Sequence, residues 1–313
     1  MSKDKNQMRE SKYTREFRDS TVQLVMNSEE SVLQIAKDLD VNSKTILNKR
    51  KELKKLDLIQ IDNINHDDLS IYKKIRENAF SDDDSFIADS PKVVNLLLET
   101  NIEIKSILAT HEYYAEYKSL IEHKNIKHLY VAKKEELEKI VGHRLHHNCM
   151  MHGIRPACVN LENLGEKIIM LDNITSAENV GSIARSAAAL GINSYLLPKT
   201  SPHPFNRRAL RVSMGHAALL NTLVYDDILI TIKKLKQNGY KVFAAEVTES
   251  STPLAKVKVP QKWVLIMGHE GKGISSEILD MCDEVVSIEM QKGIKSFNVA
   301  VAASIIMYRF TTS

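Results

Sequence analysis

Three glycines, a glutamate and a lysine lie together in GHEGKGIS, residues 268–275, directly after the apolar run VLIM. Glycine-rich turns between a strand and a helix can bind phosphate groups through backbone N–H groups. A Walker loop ends in Gly-Lys-Ser/Thr, whereas Lys272 is followed by Gly273. A dinucleotide fingerprint, G-x-G-x-x-G, follows the first strand of its unit, but here the spacing is reversed and close to the C-terminus. The spacing excludes both phosphate loops and leaves either a structural turn or a backbone that a ligand approaches closely.

Two further stretches place polar side chains beside small-residue helices. Residues 171–192 are LDNITSAENVGSIARSAAALGI and contain Asn179, Gly181 and Arg185; residues 287–305 are SIEMQKGIKSFNVAVAASI and contain Ser296, Phe297 and Asn298. Some of these residue types also have ordinary structural roles. Asn179 could cap a helix, and Glu270 could lie at a helix N-terminus, where the dipole favours a carboxylate. Arg185 is harder to explain in that way, because small residues surround it in the predicted helix.

Together and in this order, the three stretches resemble the motifs of the SpoU/TrmH family of RNA ribose 2'-O-methyltransferases, in the SPOUT superfamily. We call residues 171–192, 268–275 and 287–305 the first, second and third motif stretches. The family's first motif has Asn, Gly and Arg at this spacing. Its second motif is Gly-x-Glu-Gly-x-Gly after an apolar strand, and its third is Ser-Leu-Asn-Val before a small-residue helix. Phe297 replaces the usual leucine and Ala300 a usual serine. The resemblance covers residues 66–313.

The resemblance implies a knotted, mostly parallel α/β sheet of the SPOUT type, in which the C-terminal segment threads through a loop. It also implies S-adenosylmethionine as the cofactor, bent among the loops and held by backbone groups, with no metal required. Side chains at Gly268, Gly271 and Gly273 would then collide with the ligand or with the crossing chain. The residues that correspond to donor contacts or pocket lining are Gly268, Ile288, Phe297, Met290, Gly273 and Val299.

Methyl transfer from a sulfonium to a ribose 2'-OH is an in-line displacement, so positioning supplies much of the rate. Arg185 corresponds to the family's catalytic arginine, and its permanently charged guanidinium suits alkoxide stabilisation and phosphate anchoring. By the same resemblance, Asn179 would orient the ribose or Arg185, and Glu270 would hold one of these two side chains in place. Ser296 and Asn298 would fix the third motif stretch and contact donor or substrate. Which group accepts the hydroxyl proton stays open.

A basic segment, PFNRRALRVSMGH, spans residues 204–216. It could be a solvated charged face, or it could contact RNA backbone phosphates beside the site. Family members have a comparable Arg-x-Ser-x-Gly at this place, which favours the second interpretation. The residues expected to contact substrate RNA are therefore Arg207, Arg208 and Arg211.

Alternating strand-like and helix-like patterns from Phe86 onward predict the elements that must position these residues. Strands that alternate with helices indicate a mostly parallel sheet covered on both faces. We divide the chain into a helix-turn-helix segment (1–57), a linker (58–85) with a helical part near residues 71–79, an accessory RNA-binding α/β domain (86–160) and a SpoU-type methyltransferase domain (161–313). The accessory domain favours ribosomal RNA over transfer RNA by family analogy. The resemblance also implies a homodimer through the C-terminal helix.

The N-terminal segment resembles the helix-turn-helix of insertion-sequence transposases over about 55 residues. Its third helix has Lys49 where a core tryptophan is typical, which argues against specific DNA binding. Residues 1–57 could bind DNA weakly, or they could be a mobile-element remnant fused in frame. Two alternatives to an enzyme therefore stand beside the methyltransferase: a non-catalytic RNA-binding protein on the same fold, and a DNA-binding module.

Composition limits the class of protein further. The 313-residue chain has a net charge of +3, no apolar run long enough for a membrane span, and no apolar region in its charged N-terminus that would predict a secretory signal. Three cysteines without paired spacing predict reduced thiols and a cytoplasmic protein. GHRLHHNCMMHG, residues 142–153, suggests zinc through His143, His146, His147, Cys149 and His152, but matches no closed zinc pattern, so a polar edge between domains is favoured.

Overall fold

The computed structural model describes residues 37, 56–61, 63, 67–73, 83–142, 144, 147–294 and 296–312. These residues form two α/β units, each built on its own sheet. The helix-turn-helix interpretation of residues 1–57 lies outside the described residues, apart from positions 37, 56 and 57. In the described part of the chain, no helix is long and apolar enough to cross a membrane.

The first unit contains a five-stranded mixed sheet with the order β1-β4-β3-β5-β2. Strand β5 runs antiparallel to both of its neighbours, and the other pairs are parallel. The strands are β1 (Leu58–Gln60), β2 (Ser85–Asp89), β3 (Glu103–Ala109), β4 (His128–Val131) and β5 (Cys149–Ile154). The helices are α1 (Ser70–Lys73), α2 (Pro91–Leu98), α3 (His111–Ile121) and α4 (Lys134–Val141).

Part of the span that we interpreted as a linker contributes to this unit. Leu58–Gln60 is an edge strand paired with β4, and the side chains of Leu69 and Tyr72 are fully buried. The Tyr72 hydroxyl is 2.7 Å from Ser106 Oγ in the centre of the sheet. These elements could not be predicted from the sequence, because few apolar residues lie among many polar ones and a three-residue strand shows almost no periodicity.

The second unit contains a seven-stranded sheet, all parallel, with the order β10-β12-β9-β11-β6-β7-β8. The predicted mostly parallel α/β sheet is confirmed. The strands are β6 (Lys167–Leu171), β7 (Ser194–Pro198), β8 (Asn221–Tyr225), β9 (Lys241–Ala245), β10 (Thr252–Pro253), β11 (Trp263–Met267) and β12 (Glu284–Ser287). The helices are α5 (Ala177–Ala189), α6 (Arg207–Val212), α7 (Ile228–Gln237), α8 (Ser276–Met281) and α9 (Val299–Thr311).

Helices cover both faces of this sheet, which is why its central strands are continuous apolar runs. Helices α5 and α9 pack on one face, and α7 and α8 pack on the other. Phe310 anchors α9, since its ring makes edge contacts with Phe243 and Trp263 at centroid distances of 4.9 and 5.3 Å. Gly181 lets α5 approach α6, because a Cβ there would lie 2.5 Å from the carbonyl oxygen of Ala209.

The strand order of the second sheet brings the loops that follow four of its strands to one edge. Strand β11 lies between β9 and β6, and β12 lies beyond β9, so the loops after these four parallel strands leave from the same edge of the sheet. In open parallel sheets, ligands bind at the carboxyl edge where the strand order reverses. The first, second and third motif stretches leave from β6, β11 and β12, respectively, and therefore meet there.

The two units pack against each other along β2. Phe86 of β2 and Phe205 have ring centroids 4.9 Å apart in an edge-on arrangement, and Phe205 and Leu210 belong to the hydrophobic core of the first unit. Beside them, Arg207 of α6 forms an ion pair with the buried Asp89, with Nη2 and Oδ2 2.8 Å apart. The second unit therefore completes the core of the first.

Candidate active site

A cavity of about 790 Å³ opens at the carboxyl edge of the seven-stranded sheet. Its walls are formed by the ends of β9, β11 and β12, the loops that follow them, and the start of α9. Six residues that we expected to contact or line the donor are all in these walls: Gly268, Gly273, Ile288, Met290, Phe297 and Val299. Three of the five expected catalytic residues line it as well: Glu270, Ser296 and Asn298.

Glu270 connects the second motif stretch to the first. One carboxylate oxygen accepts hydrogen bonds from the Ser176 backbone N–H at 3.2 Å and from Asn179 Nδ2 at 2.9 Å. The other accepts from the backbone N–H and the hydroxyl of Thr175, at 3.2 and 3.3 Å. These groups lie at the N-terminus of α5, so the Glu270 carboxylate occupies the kind of position that we considered as its structural alternative, where the helix dipole favours a negative charge.

The amide of Asn179 extends this network to the third motif stretch. Its Oδ1 accepts a hydrogen bond from Asn298 Nδ2 at 3.1 Å. Asn298 in turn caps α9, because its Oδ1 accepts from the backbone N–H groups of Ala300 and Val301 at 2.9 and 3.3 Å. Asn179 itself is not a helix cap, since the N-cap of α5 is Ser176. One chain of hydrogen bonds, Glu270–Asn179–Asn298, therefore joins all three motif stretches.

Hydrogen bonding sets the charge state of Glu270. Partial burial alone would raise the pKa of its carboxyl, but the hydrogen bonds from Asn179 and from the loop backbone outweigh burial and lower the pKa to about 2. The group is therefore ionised at neutral pH and accepts hydrogen bonds without supplying a proton. Its role in the site is to orient Asn179 and to fix the second motif stretch.

Contacts within the chain explain two of the three glycines of the second motif stretch, and the expected collision with a bound ligand stays a prediction. A Cβ on Gly268 would lie 2.5 Å from Ile274 Cγ1 and 2.8 Å from the carbonyl carbon of Gly273, so the loop's own backbone excludes it. Gly273 has φ +68°, and a Cβ there would collide with the Glu246 carboxylate. At Gly271 the nearest atom to an added Cβ is His269 Cε1 at 3.7 Å, an ordinary contact. Within the chain, the expected collision with a crossing segment is therefore wrong for Gly271.

Arg185 is not brought together with the other expected catalytic residues. It follows Asn179 by six positions on α5, so at about 100° per residue its side chain points roughly 120° away from that of Asn179. Arg185 is exposed and does not line the cavity. Among the residues that the structure describes, it has no hydrogen-bond or ion-pair partner, so its guanidinium is available to a ligand or another chain.

The basic segment is only partly available for RNA. Arg207 is held by Asp89 and thereby links the two units, so our expectation of a phosphate contact is replaced by a structural ion pair. Arg208 is exposed and pairs with Glu178, with Nε and Oε1 2.8 Å apart. Arg211 is half-buried and has no ion-pair partner within the described ranges. Arg208 and Arg211 remain candidates for phosphate contact, since an exposed ion pair contributes little and exchanges readily.

Sequence reasoning missed Ser176 and Glu246. Ser176 directly precedes the helical run, and a serine in that position is a recognisable signal for the start of a helix. Glu246 follows β9, lines the cavity, and accepts a hydrogen bond from the Ile274 backbone N–H at 3.0 Å. It lies in no motif, and no spacing in the sequence identifies it.

The histidine-rich stretch lies at the start of β5, in the first unit. His143 and His146 are outside the described residues. Cys149 is buried within β5, and His152 Nε2 is 2.7 Å from Ser85 Oγ in the neighbouring strand. These two residues therefore contribute to the packing of the first sheet.

Comparison with known proteins agrees with the resemblance of the three motif stretches. Residues 166–308, within the second unit, match the model of the SpoU rRNA Methylase family. The chain is 27% identical over 233 residues to an uncharacterized tRNA/rRNA methyltransferase of Mycobacterium tuberculosis, which covers 72% of this chain and 81% of that protein.

Solved structures show the same fold over most of the chain. An rRNA methyltransferase from Sinorhizobium meliloti with AdoMet bound has a TM-score of 0.71 at 19% identity, over 82% of this chain and 98% of that one. An RNA 2'-O ribose methyltransferase has a TM-score of 0.67 at 16% identity, over 81% of this chain and 98% of that one. At these identities the likeness concerns the fold, and it includes both units.

Proposed function

We propose that this protein transfers a methyl group from S-adenosylmethionine to a ribose 2'-OH of a structured RNA. The observation that carries the proposal is the hydrogen-bond chain Glu270–Asn179–Asn298 at the wall of the cavity. It joins the three motif stretches whose side chains the reaction would need. By family analogy the substrate is ribosomal RNA in preference to transfer RNA, with the first unit as an RNA-binding domain.

The cavity suits a bent sulfonium donor. Its volume lies within the range of small-molecule sites, roughly 300–1,000 Å³. Ile288, Met290 and Phe297 provide apolar walls, and Phe297 is 40% exposed, so a bound purine or thioether would cover surface that is otherwise in water. The backbone of residues 268–273 supplies polar groups between these walls. S-adenosylmethionine, when bound, supplies an electrophilic methyl group.

The chain's own residues would hold the acceptor ribose. The Glu270 carboxylate fixes the amide of Asn179, which fixes the amide of Asn298, so neither amide needs to reorganise when substrate binds. Ser296 is exposed at the cavity wall and has no hydrogen-bond partner among the described residues, so its hydroxyl can bind donor or ribose. Arg185 lies outside this chain's own cavity, so it would act at the cavity of a partner subunit, where it would stabilise the negative charge that develops on the 2'-oxygen and anchor the adjacent phosphate.

The proposal includes a homodimer and a knotted chain path. Helix α9 presents Val301, Ile305 and Tyr308, which are 47%, 37% and 62% exposed and share one face at positions i, i+4 and i+7. This face fits a second copy of the chain. Helix α9 also packs on α5, where Ser304 Oγ is 2.8 Å from Ser186 Oγ, so a dimer through α9 would bring Arg185 close to the partner subunit. The knot implied by the family resemblance is consistent with β11 lying between β9 and β6.

A charged substitution in this face should separate the subunits. Tyr308→Glu would bury a carboxylate in an apolar contact, so we expect sedimentation velocity to show mainly monomer where the wild type is a dimer. Ile230→Lys is the matched control, because Ile230 is 56% exposed on α7, away from α9, and should leave the dimer intact. A wild-type monomer, or a Tyr308→Glu dimer of unchanged stability, would contradict the dimer.

Methylation of total RNA tests the function directly. We expect purified protein, S-adenosylmethionine labelled on its methyl group and RNA from cells without this gene to give label in RNA. Nuclease digestion should place the label in 2'-O-methylnucleosides, and fractionation should place it in ribosomal RNA. Label in a base would contradict ribose methylation. RNA binding without either methyl transfer or donor binding would favour the non-catalytic RNA-binding alternative.

A further inference from the structure

Glu246 lies at the wall of the donor cavity but outside the three motif stretches. It directly follows β9, and its backbone N–H donates a hydrogen bond to the carbonyl of Val286 in β12 at 3.1 Å. The residue is therefore fixed between two strands of the sheet core. Its half-buried side chain extends toward the second motif stretch, which leaves the sheet from the neighbouring strand β11.

The Glu246 carboxylate fits the closing turn of the second motif stretch. Oε2 accepts a hydrogen bond from the Ile274 backbone N–H at 3.0 Å, and Oε1 accepts from the Val247 N–H at 2.9 Å. Oε2 also occupies the space in which a Cβ of residue 273 would lie. Gly273 is therefore glycine for two reasons: its positive φ of +68°, and the close approach of this carboxylate.

A backbone hydrogen bond closes the turn of the second motif stretch at Gly273, beside Glu246. The Gly273 N–H donates to the His269 carbonyl at 2.9 Å, which brings the two ends of the turn together. At the apex of the turn, Glu270 extends the other way and binds the N-terminus of α5. One carboxylate thus holds the apex of the turn against α5, and a second, Glu246, holds its closing end against β9.

We propose that Glu246 is a positioning residue for the donor, acting through the backbone of Gly273 and Ile274. The inference rests on the proposed function, since it assigns the purpose of a contact in the proposed donor cavity. Glu246 keeps the turn of residues 268–273 in the conformation that faces the cavity, so its loss changes donor affinity without removing a group from the reacting atoms. Gly273, the third glycine of the motif, and Glu246 then act together, although they are far apart in sequence.

A double-substitution cycle tests this coupling in the full-length protein. The four proteins are wild type, Glu246→Ala, Gly273→Ala and the double variant, each measured by calorimetric titration with S-adenosylmethionine. Glu246→Ala should weaken donor binding about tenfold, as expected when a hydrogen bond to a charged group is lost. Gly273→Ala should weaken it by about a hundredfold alone but by less in the Glu246→Ala background, because the collision is then removed and only the backbone strain remains.

Kinetics and amide exchange separate positioning from general destabilisation. Glu246→Ala should raise the KM for donor while kcat at saturating donor stays close to that of the wild type, and the Ile274 amide should lose protection from exchange. Glu246→Gln keeps one acceptor oxygen and should recover part of the affinity. Glu249→Ala removes an exposed carboxylate from the same loop and is the matched control, expected to change neither quantity.

Each other outcome overturns the inference. Unchanged donor affinity in Glu246→Ala shows that the contact serves stability alone. Additive effects of the two substitutions show that Glu246 contacts the donor itself and does not act through Gly273. If the wild type binds no donor, the proposed function fails. The coupling is then tested by measuring the thermal unfolding midpoints of the same four proteins. Additivity in that measurement contradicts the coupling independently of the donor.

Discussion

Replacing Gly268 by valine should weaken the binding of S-adenosylmethionine by up to about two orders of magnitude. Even the first carbon of the new side chain would lie 2.5 Å from Ile274 Cγ1 and 2.9 Å from the Gly273 carbonyl oxygen, and the branched methyl groups would extend further. The turn must move to relieve these contacts, and that movement distorts the cavity wall. Overpacking of this kind costs about 1–3 kcal/mol, which corresponds to a loss of up to about two orders of magnitude in affinity.

Calorimetric titration measures this effect, and Gly271→Ala is its matched control. Gly271 lies in the same turn, but an added Cβ there meets nothing closer than 3.7 Å and its φ is not in the left-handed region. We therefore expect a far smaller loss of affinity for Gly271→Ala than for Gly268→Val. Equal losses would mean that the turn tolerates no side chain for a reason other than the contacts seen here. Undiminished binding by Gly268→Val would place the donor elsewhere.

Replacing Arg185 by alanine should reduce methyl transfer to RNA by about a hundredfold to a thousandfold while leaving donor affinity intact. The rate effect is that of removing one fixed donor from a developing oxyanion. Donor affinity should persist because Arg185 does not line the cavity and is exposed on α5. Single-turnover methylation measures the rate, and calorimetric titration of the same preparation measures donor binding.

A matched control separates this role from nonspecific attraction to RNA. Lys233→Ala removes an exposed positive charge from α7, on the opposite face of the sheet, and should leave the rate unchanged. Arg185→Lys keeps the charge but loses the planar fork, so it should recover only part of the rate. Full activity of Arg185→Ala would remove Arg185 from the mechanism.

The second unit was largely predictable because its strands are buried on both faces. KIIML and WVLIM are continuous apolar runs, and such runs alternating with helices specify a covered parallel sheet almost without tertiary information. The meeting of the three motif stretches was predictable for the same reason, since each follows a parallel strand and the carboxyl ends of these strands share one edge.

Contacts between distant side chains were not predictable in this way. Arg207 is a plausible phosphate ligand in sequence, and only the fold shows that Asp89, 118 residues earlier, faces it. Likewise the glycine at position 273 suggests a ligand until Glu246 is found beside it. In both cases the residue can be singled out in the sequence, but its partner depends on how distant elements pack.

The packing of Phe205 into the core of the first unit has a consequence for substrate choice. Because Phe86–Phe205 and Asp89–Arg207 tie the two sheets together through buried contacts, the units should behave as one stiff body. An RNA that docks on the first unit would then present its ribose to the cavity at a set distance and angle. Such a protein would select the target nucleotide by its position in the folded RNA as well as by the identity of its base.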